Sequence, residues 1–259
     1  MTRAGYSAWR ARAECAHAAQ ERTLLQQIRV QFARHVGRYG SPRIHADLPQ
    51  RGVRVSRRRV ARLMRADGLR ARAVLGYRGK AGVHRFYAAQ PNLLRRGAAA
   101  TIDRVWVGDI TYLAVAGRWR YLAVVMDQCS RRILAWTLQS RRDVRVTRGV
   151  LQAALRRRQP AAGLIFHSDR GTEYLARPLR TYLAERGVRQ SANASGPGDN
   201  AHMESFFHSL KAEAIRGYHF ATDLELHRAL RTYIRYYNTN RAHSSLGYRS
   251  PIDFERRAA

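Results

Sequence analysis

Three carboxylates hold the chemistry in this sequence. Asp109 lies inside the apolar run "VWVGDITYL", Asp169 closes a second apolar run in "LIFHSDRG", and Glu204 falls in "GDNAHMESFFHSLKAE". The first two are 60 residues apart and the last two 35. An aspartate inside a strand-like run is costly, because strands disfavour it and a buried carboxylate needs partners. Hard divalent cations supply them. Two such ions about 4 Å apart activate an attacking oxygen and stabilise a leaving one in phosphodiester chemistry.

Other polar residues crowd the same motifs. Glu173 lies four residues beyond Asp169, and Asp199 precedes the Glu204 segment in a Gly-flanked loop. Both rival Glu204 as the third acid. Lys211, one of only two lysines beside Lys80, is seven residues after Glu204 and so two helical turns along the same face, placed to hold a phosphate. Glu213, nine residues after Glu204, is rotated by about 900° and points away, either to solvent or toward a neighbouring arginine. His167, Ser168 and Asn200 are read as supporting residues that order the carboxylates or contact DNA.

The chain surrounding these acids is strongly basic. Lys and Arg total 48 against 18 Asp and Glu, a net charge of +30 over 259 residues. That excess exceeds what solubility requires and, spread over every segment, points to nucleic acid. No apolar run is long enough to span a bilayer and no signal-peptide core is present, so the reading is a soluble, cytoplasmic protein without a membrane partner. Cys15 and Cys129 are too few for a disulfide framework, and no Cys/His spacing suggests zinc.

The elements around the acids follow from periodicity. Residues 24–36 carry an apolar stripe at helical spacing; a second helix starts at "SPRIHADL" with Ser41 as N-cap, and a third starts at Ser56 with Val60, Leu63 and Met64 inward. "QRGVRVS" is the turn between the last two. Arg57, Arg58, Arg59, Arg62 and Arg65 decorate the third helix as a duplex reader requires, so residues 1–72 read as a small all-α helix-turn-helix region for DNA binding. Residues 73–103 read as a linker, and 104–259 as the catalytic core with a C-terminal helical extension. There, "RVWVGDITYLAV", "WRYLAVVMDQ" and "RRILAWTLQ" form an antiparallel meander; helix 143–158, a strand in "GLIFHSDRG", a helix near "PLRTYLAERG" and a strand near "VRQSA" complete an α/β fold with a mixed five-stranded sheet flanked by helices. Trp106, Trp119, Trp136, Tyr121 and Phe206 are read as core rather than base-stacking.

Asp109 in "VGDITYL", Asp169 in "HSDRGTEY" and Glu204 together resemble the acidic triad of the DDE transposases and retroviral integrases, in which a 35-residue gap before the glutamate is a hallmark. "YYNTNRAHSSLGYRSPIDF", residues 236–254, resembles the C-terminal signature of the OrfB-type transposases of bacterial insertion sequences, and "RYGSPRIHADLPQRGVRVSRRRVARLMRADGL" their helix-turn-helix. The resemblance spans about residues 20–255. It implies a ribonuclease-H-like core, catalytic and metal-ligand roles for Asp109, Asp169 and Glu204, and two Mg²⁺ ions, with Mn²⁺ as substitute. It also implies nicking of element ends, transfer of the 3′-hydroxyl to target DNA and a homo-oligomer on double-stranded DNA. Fusion with or partnering of an upstream OrfA-type protein, and a bacterial, nucleoid-associated setting, belong to the same expectation. Glu173 departs from the usual Gln of that motif.

Two alternatives stand beside it, a tyrosine recombinase and an inactive DNA-binding regulator derived from a transposase. A tyrosine recombinase needs a His-x-x-Arg pair, and the matches at His35/Arg38 and His167/Arg170 are as many as chance supplies in a chain this rich in arginine. An inactive Arg-rich DNA-binding regulator would have lost one of the acids. Tyr237, Asn238, Arg241 and His243 have no role that the sequence supplies.

Overall fold

Ser56 opens the arginine-coated helix by accepting the Arg59 N–H on its side chain, as its capping chemistry requires. The computed structural model describes residues 2, 3, 15–72, 91–94, 101–193 and 200–258; the chain divides into units Met1–Ala73 and Val74–Ala259. Asp199, Lys80 and most of the linker segment lie outside the described residues.

In the first unit, helices α1 (Ala16–Arg34), α2 (Ser41–Asp47) and α3 (Arg57–Ala66) bury Leu24, Ile28, Ile44, Val60, Leu63 and Met64, with Leu48 buried beside them. The helix expected from residue 24 starts at Ala16 and stops at Arg34, where Val36 and Gly37 turn to positive φ. Ser41 is not the cap of α2: Gly40 holds that position in extended backbone, and its carbonyl accepts the Arg43 and Ile44 N–H groups. The turn before α3 is a short 3₁₀ segment, Leu48–Arg51, closed by Gly52 at φ 75°.

The second unit is built on a five-stranded sheet ordered β3-β2-β1-β4-β5, with β1 (Val105–Val115), β2 (Arg118–Asp127), β3 (Ile133–Gln139), β4 (Ile165–Ser168) and β5 (Arg189–Ala192). β1–β2 and β2–β3 are antiparallel; β1–β4 and β4–β5 are parallel. Side chains alternate across β1 and β2. Val105, Val107, Leu122, Val124 and Met126 pack against helices α7 (Ala201–Leu210) and α8 (Asp223–Thr239). Trp106, Ala123 and Val125 pack with residues of α4 (Val144–Arg158), α5 (Thr172–Leu175) and α6 (Arg177–Ala184). The sheet therefore carries apolar cores on both faces, which explains why β2 reads as a continuous apolar run.

A polar clasp holds α8 to α7. The helix after α7 widens into a π-helical turn, Lys211–Ile215, with the Arg216 N–H bonded to the Lys211 carbonyl at 2.7 Å. Glu213 lies on the helix face opposite exposed Glu204 and is buried, overturning a solvent-facing orientation in favour of the alternative, an arginine partner. Glu213 is buried and receives Arg241 Nη2 at 2.7 Å and the Tyr233 hydroxyl at 3.0 Å, while Arg241 Nη2 also reaches Ser209 Oγ at 2.9 Å. Asn238 clamps both backbone groups of Ile133 at 2.9 Å, and Tyr237 packs edge-on to Phe206 and His243. Glu255 of α9 (Pro251–Ala258) joins Ser130, Arg132 and Arg158. The C-terminal signature is thus a structural strap. Replacing one partner of a buried pair strands the other charge, so Arg241→Gln is expected to cost about 3–5 kcal/mol in denaturant unfolding, with Glu213→Gln/Arg241→Gln milder than the single change.

Candidate active site

Parallel pairing aligns Gly108 with Ser168, the last residue of β4; Asp109 follows Gly108 in β1, and Asp169 follows Ser168 directly after β4. The register therefore brings both acids to the carboxyl end of β4. Gly108 makes this possible: a Cβ there would lie 2.5 Å from the Phe166 ring. Asp109 Oδ1 accepts its neighbour's N–H from Ile110 at 2.7 Å, and Asp169 Oδ1 accepts the Gly171 N–H at 3.0 Å. Burial, and next the charge of Asp169, push the Asp109 carboxyl up to about 7.

α7 supplies the other two groups. Asn200 sits at its N-cap position, but its side chain makes no cap bond; Nδ2 donates instead to the Gly108 carbonyl at 3.3 Å, tying the helix start to the residue before Asp109. Glu204, one turn on, is exposed, and its N–H bonds to the Asn200 carbonyl. Among the described residues no group of three His, Cys, Asp or Glu side chains is close enough to hold a metal ion. The structure brings Asp109 and Asp169 together and leaves Glu204 on a helix anchored to the same strand. Lys211 is half-buried with Nζ 5.0 Å over the Tyr112 ring; burial lowers its pKa and Asp109 partly restores it.

The supporting residues divide. Ser168 is buried and donates to the backbone carbonyl of Asp169 at 3.0 Å. His167 is buried between Ser191 Oγ at 2.8 Å and Asn193 Oδ1 at 2.7 Å, and so braces β5 and its following loop. Trp106 and Phe206 are core and Trp136 and Tyr121 half-buried. Trp119 is 56% exposed, contrary to the core reading: it lies at the far end of the β1–β2 pair, beyond the reach of β4, and packs edge-on against exposed Tyr112 at 5.1 Å. Arg142 had no sequence signal except the unusual Glu173, with which it forms an ion pair.

On α3, the five arginines are not equivalent. Glu21 of α1 binds Arg62 and lies 3.5 Å from Arg59 Nε, whereas Arg57, Arg58 and Arg65 are exposed without a partner among the described residues. No helix among the described residues is long and apolar enough to cross a membrane.

Residues 19–76 match the HTH-like domain family, and 101–197 and 204–258 match two integrase core domain families. The transposase for insertion sequence element IS904 of Lactococcus lactis is 38% identical over 243 residues, 91% of this chain and 95% of that one. The transposase InsF for insertion sequence IS3A of Escherichia coli K12 is 37% identical, covering 86% and 79%. A chain of the simian T-cell lymphotropic virus intasome shares the fold at TM-score 0.51 and 15% identity, over 88% of this chain and 73% of that one. The HTLV-2 integrase catalytic core solved with magnesium aligns at TM-score 0.45 and 14% identity, over 59% and 94%.

A carboxyl whose folded pKa lies above its unfolded value stabilises the fold while protonated. That contribution is complete below about pH 4 and is lost as pH rises through about 7. In EDTA, Asp109→Asn is therefore expected to melt like the parent near pH 4 but higher at pH 8, by on the order of 2 kcal/mol or roughly 4–8 °C.

Proposed function

The chain belongs to the bacterial insertion-sequence transposases with an integrase core, DNA strand-transferring enzymes, and on that footing we propose that Asp109, Asp169 and Glu204 form its catalytic, metal-binding triad. The observation that carries this reading is the register of β1 and β4, which juxtaposes two carboxylates that repel each other.

The residues fit divalent cations. Their donor set is all carboxylate, as hard ions prefer, and a positive ion between the pair would offset both causes that raise Asp109, its burial first and then the charge of Asp169. Asp109 and Asp169 would hold Mg²⁺, with Mn²⁺ as substitute, and Glu204 would complete the set from α7; two ions of this kind supply nucleophile activation and leaving-group stabilisation. The chain's own residues do the rest. Gly171 and Ile110 orient the two aspartates through backbone N–H groups, Asn200 fixes α7 to their strand, and Lys211 brings a cation to the same edge. The substrate is double-stranded DNA, at element ends and target. A homo-oligomer serves to bring two ends together, and an OrfA-type protein is the partner or upstream fusion in the same proposal.

The sheet-edge acids are expected to be indispensable for chemistry and dispensable for binding. With labelled element ends and Mg²⁺, Asp109→Asn, Asp169→Asn and Glu204→Gln should each lower nicking and joining by about 10²-fold or more while DNA affinity holds. Full activity in Glu204→Gln with loss in Asp199→Asn would reassign the third acid.

For the first unit, we propose that exposed Arg57, Arg58 and Arg65 bind backbone phosphates. Changing them to Gln is expected to flatten the salt dependence of DNA binding by about 0.9 in log–log slope for each phosphate no longer neutralised, whereas Arg62→Gln, already neutralised by Glu21, changes it little.

A further inference from the structure

Glu173 is a buried acid for which the triad has no use. Its side chain is 4% exposed, and Arg142 answers its charge: Nε donates to Oε1 at 2.7 Å and Nη2 lies 2.5 Å from the same oxygen. Gly171 forms the seat. A Cβ at that position would fall 2.6 Å from Glu173 Oε1 and 2.9 Å from Arg142 Nη2, while the Gly171 N–H holds Asp169 at 3.0 Å. The residue that orients Asp169 therefore also backs the guanidinium.

Arg142 is fixed on its other side by the chain. Asp143 caps α4 by accepting the Arg145 and Val146 N–H groups, which pins the backbone next to Arg142. Yet the Arg142 side chain remains 43% exposed, and Nη1 has no partner among the described residues. A guanidinium is a planar fork with donors on two edges. One edge here is committed to a carboxylate and the other is open, with Asp169 close enough for its charge to act on the guanidinium.

We propose that Arg142, seated by Glu173 and Gly171, is a substrate-contact residue whose open edge binds a DNA backbone phosphate next to Asp169. The inference rests on the reading that DNA is processed at Asp109 and Asp169. Exposed Arg141 and Arg145 flank it and add positive potential along the same approach. Glu173 is a positioning residue, since it acts through Arg142.

The test is metal-free binding of the full chain to an element-end duplex in EDTA, by fluorescence anisotropy against KCl concentration, with thermal melts of each variant. Arg142→Gln is expected to weaken binding about tenfold and to flatten the log–log salt slope by about 0.9, the value for one phosphate. It also strands Glu173 and lowers Tm. The double variant Arg142→Gln/Glu173→Gln separates the two effects: Tm returns toward that of the parent, but affinity and slope do not. If the double variant instead binds DNA with the parent's affinity and slope, Arg142 is only a counterion and the proposal is overturned. Asp169→Asn, assayed for strand cutting with Mg²⁺, reports on the underlying reading separately. Cutting that survives in Asp169→Asn overturns the assignment of the acids without altering the salt-slope result.

Discussion

Everything at the acidic edge of this molecule follows from the four-residue parallel pairing of β1 with β4. Because Gly108 stands opposite Ser168, one more step along each strand puts Asp109 beside Asp169. A slip of one residue would turn either acid to the other face of the sheet. The register is held by apolar packing on both faces and by buried His167 and Ser168, which tie β4 to β5 and to the backbone of Asp169. The close fit of Phe166 against Gly108 leaves no room for a side chain at that step.

A pair of like charges held this close is unfavourable for the fold alone. Burial first, and then that neighbouring charge, raise the Asp109 carboxyl, the usual mark of a site arranged for ligand or catalysis rather than stability. Elsewhere the buried acids are answered within the chain. Glu213 has Arg241, Glu173 has Arg142, and Glu255 has Arg132 and Arg158. Asp127, at the end of β2, takes the N–H groups of Asp103 and Ser130 on its two oxygens. Asp109, in a chain with 48 basic residues, has the N–H of Ile110 and faces another acid.

The π-helical turn after α7 links the site to the C-terminal strap. It begins at Lys211, whose ammonium approaches Tyr112 and Asp109, and two residues later it buries Glu213 against Arg241. One short helical segment thus presents a cation on the site's side and an anion on the core's side. The residues of the C-terminal signature are explained by that second half. Their role is mechanical, with Asn238 on the β3 backbone and Arg241 on Glu213.

Which elements exist, and where the acids fall in them, was legible in the residues before any fold was known. Apolar periodicity, the helix starts at Ser56 and near Asp143, and the run around Asp109 are local signals, and local physics decides them. The family resemblance lay in the acids' spacing, which is a property of the chain alone. What that spacing brings together had to wait for the folded molecule: Asp109 against Asp169, Asn200 on Gly108, Arg142 on Glu173, Arg241 on Glu213. Folding also paired Glu213 with Arg241 in the core and left Trp119 outside, because helix packing and the short reach of β4 are set between segments distant in sequence. Side-chain partners far apart in the chain are chosen by sheet register and helix rotation, and neither is written in the residues that meet.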